Sequence, residues 1–278
     1  MSLPDPFSEP AIRDPKKLRN TALVLCAVML LGGWLVLKRY ASSQAESARK
    51  AYESFSKETQ GSAADPDSEN RPAYVYRITK ERDLRMLRQD GAMVNLGDLR
   101  GKVIAINVFS LRDPQAAARS LAVMKRLAEK RATDPNFILI SLIIDPIASD
   151  KLIPTLAATS ISQDIKLPQW WLGSNEPKTL HKFIKNELKA NTYPNEISGK
   201  WDYDASIVLI DKNGHIRRGV VPQKRGGPPF IATFDFDQAA TWDDKGVKTG
   251  TDRNNVDELE VLLNHTIDKL LAEPARDS

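Results

Sequence analysis

Residues 103–144 read VIAINVFSLRDPQAAARSLAVMKRLAEKRATDPNFILISLII, and this stretch decides the fold. It begins with VIAINVF and ends with FILISLII, which are continuous apolar runs of strand length, as expected of strands buried on both faces. The segment between them, residues 114–131, carries apolar side chains at helical spacing. Asp113 and Pro114 suit the N-cap and the first position of that helix. The stretch therefore predicts a strand–helix–strand unit.

The chain beyond this unit alternates between strand and helix patterns. The predicted elements are a helix near 150–160, a short strand at 168–173, a helix at 176–189, a hairpin at 205–221 and a closing helix at 255–271. The hairpin contains Asn213-Gly214, a pair suited to turn positions with positive φ. This alternation predicts an α/β fold.

Trp170 and Trp171 are neighbours in the predicted strand at 168–173. Neighbouring strand residues point to opposite faces, so one tryptophan can fill the core while the other faces out or packs under a helix. Core filling is the expected role, and a partly exposed anchor for a partner is the alternative.

Residues 21–37, TALVLCAVMLLGGWLVL, carry no charge and form a run just long enough to span a bilayer. Lys38-Arg39 follows the run where a cleaved signal peptide would have small residues. We therefore expect an uncleaved single-pass anchor at 21–39 that contacts lipid through 21–37. Basic residues flank both ends, so the charge bias does not decide the orientation.

The anchor divides the chain into a short tail (1–20), the anchor (21–39), a helical stalk and linker (40–72), a folded domain (73–272) and a final tail (273–278). Lys and Arg number 40 against 36 Asp and Glu, for a formal charge of +4. The charges are interspersed and no basic run is interleaved with aromatic residues, so we expect no nucleic-acid partner.

The chain has one cysteine, Cys26, inside the apolar segment. A single cysteine excludes an internal disulfide and a dithiol redox couple. The predicted role of Cys26 is that of a small apolar side chain in the membrane segment.

The order of several motifs resembles the Sco/SenC family of membrane-anchored, copper-binding assembly factors of cytochrome c oxidase. The stretch DGAMVNLGDLRGKVIAINVF (90–109) is similar to the hairpin that leads into the first central strand of thioredoxin-like domains. The strand end SLIIDP (141–146) and the hairpin DYDASIVLIDKNGHIRR (202–218) continue the similarity. The resemblance implies a thioredoxin-like fold, with a central mixed sheet flanked by helices, behind one N-terminal transmembrane helix.

The chain departs from the family at its metal and redox motif. Aligned without gaps, the two cysteines of the family motif fall on Asp113 and Ala117, and the histidine ligand falls on Tyr203. Cu(I) prefers soft donors, which these side chains do not provide. We therefore predict a degenerate member with no catalytic, cofactor-binding or metal-ligating residue and with no cofactor. The expected roles are helix capping for Asp113 and packing for Tyr203.

Other candidate site residues are scattered. The histidines His181, His215 and His265 fall on different predicted elements and lack the spacing of a zinc site. The acidic stretch DFDQAATWDD (235–244) lacks the spacing of a calcium loop, so we expect a solvated loop there.

These observations predict a non-enzymatic protein that acts by protein–protein contact, as an assembly or accessory subunit near a respiratory membrane complex of cytochrome oxidase type. The alternative is a metal-binding or catalytic module that uses non-thiol groups in the vacated cleft. No small-molecule substrate is indicated. The resemblance implies an inner membrane, bacterial or mitochondrial, with the domain on the periplasmic or intermembrane-space side.

Overall fold

The computed structural model describes Met29 and residues 71–221, 229–247 and 253–275. They belong, apart from Met29, to a compact unit that spans Glu69–Ser278. Apart from Met29, the predicted anchor (21–39) lies outside the described residues, as does nearly all of the stalk and linker (40–72). Within those described ranges, no helix has the length and hydropathy needed to cross a bilayer.

The described residues form strands and helices that we number in chain order. The strands are β1 (Ala73–Arg77), β2 (Arg85–Arg88), β3 (Met93–Asn95), β4 (Val103–Phe109), β5 (Phe137–Ile143), β6 (Trp170–Ser174), β7 (Asn195–Ile197), β8 (Lys200–Asp202), β9 (Val208–Ile210), β10 (His215–Val221) and β11 (Phe230–Ala232). The α-helices are α1 (Ala118–Lys130), α2 (Ser149–Ser162), α3 (Pro177–Asn186), α4 (Phe236–Asp244) and α5 (Asn255–Ala272).

Nine of the described strands form one mixed sheet in the order β1-β10-β9-β4-β5-β6-β2-β3, with β11 paired to β10, and β7 and β8 form a separate two-stranded sheet. Strands β4, β5 and β6 are parallel, whereas β9 lies antiparallel to β4 and β10 antiparallel to β9. The unit β4–α1–β5 followed by the β9–β10 hairpin and α5 is the thioredoxin-like arrangement. The predicted α/β class, strand–helix–strand unit and mixed sheet are confirmed.

Two apolar cores cover the two faces of the sheet, because alternate residues of β4 and β5 point to opposite sides. On one face Val103, Ala105 and Phe109 pack with α1 and α5. On the other face Ile104, Ile106 and Val108 pack with α3. Every residue of β4 and β5 is buried, which explains their continuous apolar sequence.

The two tryptophans of β6 divide between these cores, so the core-filling interpretation is confirmed. Trp170 is 3% exposed and Trp171 is 8% exposed. Trp170 donates from Nε1 to the Ser141 hydroxyl at 3.0 Å, and Trp171 donates to the carbonyl of Pro168 at 2.9 Å. Neither side chain is available as an exposed anchor for a partner.

The prediction of a solvated loop at 235–244 is wrong, because Phe236–Asp244 form helix α4. Asp235 caps the helix by accepting hydrogen bonds from the backbone N–H groups of Asp237 and Gln238. Phe236, Ala239 and Ala240 are buried at helical spacing. The apolar stripe outweighs the acidic composition, since a helix needs only one covered face.

Candidate functional site at the strand-to-helix corner

The chain turns from β4 into α1 through a short 3₁₀ turn, Pro114–Ala117, and the α-helix begins only at Ala118. The expected capping role of Asp113 is therefore wrong: it precedes the turn, but its carboxylate makes no capping hydrogen bond. The Ser110 hydroxyl oxygen instead accepts from the N–H groups of Arg112 at 3.1 Å and Asp113 at 3.4 Å. Ser110 thus orders the backbone that leads into the turn.

Asp145, just beyond the C-terminal end of β5, fastens the corner to the neighbouring strand. Its side chain is 4% exposed. One carboxylate oxygen accepts from the Ser110 hydroxyl at 2.9 Å, and the other accepts from the backbone N–H of Leu111 at 2.5 Å. Arg112 lies 3.7 Å from the same carboxylate. The Asp145 carboxylate therefore holds the backbone of the corner in place.

Tyr203 follows β8 and reaches the same corner. Its hydroxyl oxygen accepts a hydrogen bond from the backbone N–H of Ser110 at 3.3 Å. Burial raises the pKa of Tyr203 to about 12, and the carboxylates of Asp113, Asp145 and Asp237 add to the increase, while the Ser110 hydrogen bond opposes it. The phenol is therefore protonated at neutral pH.

Ala117 occupies the second aligned cysteine position and is fully buried. It belongs to the core that contains Phe109, Phe234 and Phe236. The methyl group of Ala117 fills space in this core and presents no functional group to the corner.

Charged side chains surround the corner on its exposed side. Arg112 pairs with Glu196 of β7 at 3.0 Å, which ties the corner to the β7–β8 hairpin. Arg119 pairs with Asp237 of α4 at 2.8 Å. These pairs are partly exposed, so each contributes orientation more than stability.

The side chains at the three aligned ligand positions do not fit a Cu(I) ion. Asp113 offers a hard oxygen, Ala117 offers no donor, and the Tyr203 phenol is held protonated by its high pKa. In the described part of the chain, no group of three or more His, Cys, Asp or Glu side chains is placed to hold a metal ion.

The three histidines are not brought together. His181 is buried, with Nε2 2.8 Å from the carbonyl oxygen of Ile144, and its ring packs edge-on against Trp201 at 5.2 Å. His215 lies beside Asp211 on the β9–β10 hairpin, at 3.3 Å. His265 is exposed on α5.

Sequence reasoning identified three residues of the corner but missed the two that organise it, Ser110 and Asp145. They stand 35 positions apart, and only the parallel pairing of β4 with β5 brings their strand ends together. A signal was present: a polar residue directly follows each of the two apolar runs, 103–109 and 137–144. Carboxyl ends of parallel strands meet at one sheet edge, which is where such residues come into contact.

The fold and this corner define a thioredoxin-like domain whose strand-to-helix turn carries no thiol. No protein-family model matches the chain, and no curated protein matches it. Several solved structures that the chain is similar to are Sco/SenC proteins, as the sequence motifs predicted.

A SCO1/SenC family lipoprotein from Bacillus anthracis is 19% identical, with 53% of this chain and 84% of that one covered and a TM-score of 0.41. BsSco, a member of the Sco family of cytochrome c oxidase assembly proteins, is 14% identical over 72% of this chain and 97% of that one, with a TM-score of 0.43. Copper-bound ScoI from Bradyrhizobium japonicum is 16% identical over 66% and 96%, with a TM-score of 0.37.

Proposed function

We propose that this protein is a membrane-anchored, non-catalytic thioredoxin-like protein that acts by protein–protein contact. Its role is that of an assembly or accessory subunit beside a respiratory membrane complex of cytochrome oxidase type, with the domain on the periplasmic or intermembrane-space side. The respiratory association and the location come from the sequence resemblance. The anchor comes from the apolar run at 21–37.

One observation carries the non-catalytic part of the proposal: the polar groups of Ser110, Asp145 and Tyr203 at the corner are engaged with one another. Asp145 accepts from Ser110 and Leu111, and the Tyr203 hydroxyl accepts from the Ser110 backbone. The aligned thiol positions hold a carboxylate and a buried methyl group. Nucleophilic and thiol–disulfide chemistry require a thiolate or another activated group, which this arrangement does not supply.

The experiment is gentle purification of the tagged full-length chain from its native membranes, followed by quantitative identification of co-purifying chains against an untagged strain. We expect one or more membrane-complex subunits at stoichiometric amounts. A chain that purifies alone, under conditions that keep known membrane complexes intact, would overturn the proposal.

A copper titration of the full-length chain tests the non-catalytic part separately. We expect no stoichiometric binding at sub-micromolar Cu(I). Tight binding that Asp113→Ala abolishes, and that the exposed control Asp150→Ala leaves intact, would establish the metal-binding alternative instead.

A further inference from the structure

We draw no further inference here: the strongest candidate, the apolar groove of about 430 Å³ that α5, α4, β10 and β11 line, carries none, because nothing in the part of the chain that the structure describes shows what covers it.

Discussion

Replacing Arg217 with methionine should strongly destabilise the domain, because Arg217 joins three separate parts of the chain. Its side chain is fully buried and pairs with Asp211 and Glu273, each at 2.8 Å. It also donates to the carbonyl of Pro72 at 2.8 Å and stacks on the Tyr74 ring at 3.8 Å. The contacts connect the start of β1, the β9–β10 turn and the end of α5.

The expected loss in free energy of unfolding arises because the substitution leaves two carboxylates without their shared cationic partner. Asp211 is 2% exposed and Glu273 18% exposed, so neither is well hydrated once Arg217 is gone. Removing one partner of a buried pair costs about 3–5 kcal/mol. For a domain of this size the loss corresponds to roughly 10 °C in Tm.

Arg218→Met is the matched control, since Arg218 is the next residue of β10 and only half-buried. Thermal and urea unfolding of the full-length variants, followed by circular dichroism, measures the difference. Equal stabilities of Arg217→Met and Arg218→Met would refute the reasoning, because the buried network would then contribute nothing measurable.

The same network predicts a pH dependence. Burial acts to raise the pKa of Asp211, but hydrogen bonds from His215 and Arg217 outweigh it and lower the pKa to about 2. A depressed folded-state pKa means that the stabilisation is present above the unfolded value near 4 and is lost as the pH falls toward 2. The stabilisation that is lost amounts to about 2 kcal/mol. Arg217→Met should flatten this part of the stability profile.

Two further predictions concern the corner. Ala117→Leu should destabilise the domain by about 1–3 kcal/mol through overpacking, whereas Ala118→Leu, at an exposed position, should have little effect in the same unfolding assay. Tyr203→Phe should cost about 1 kcal/mol by removing the acceptor of the Ser110 N–H, and amide hydrogen exchange at Ser110 should quicken. The exposed Tyr193→Phe is its control, and equal exchange at Ser110 in both variants would contradict the assigned hydrogen bond.

The central elements were predictable from the sequence because burial of the sheet on both faces produces a recognisable pattern of apolar residues. Strands β4 and β5 are continuous apolar runs, and α1 and α5 show helical spacing of their buried residues. Helix α4 was missed because its charges were weighed more heavily than the spacing of Phe236, Ala239 and Ala240, although Asp235 was a recognisable cap.

Long-range polar contacts were not indicated by any local pattern in the sequence. Arg217 and Arg218 are consecutive arginines in β10, and nothing local indicates that one is fully buried and the other half-exposed. The difference arises because Arg217 meets Glu273, 56 positions away, at the end of α5. Ser110 and Asp145 were overlooked for the same reason, since each has its partner on another strand end.

Asp113 and Ala117, at the two aligned thiol positions, differ in how strongly the fold constrains the identity of the residue. Asp113 makes no side-chain capping bond and is half-buried, so its identity is weakly constrained by the fold. Ala117 is fixed by packing, since its methyl group is enclosed by the core. The shape of the corner depends on Ser110, Asp145 and Tyr203, none of which stands at a thiol position. The turn can therefore keep a defined surface without the thiols, and a rigid surface is what recognition of a partner requires.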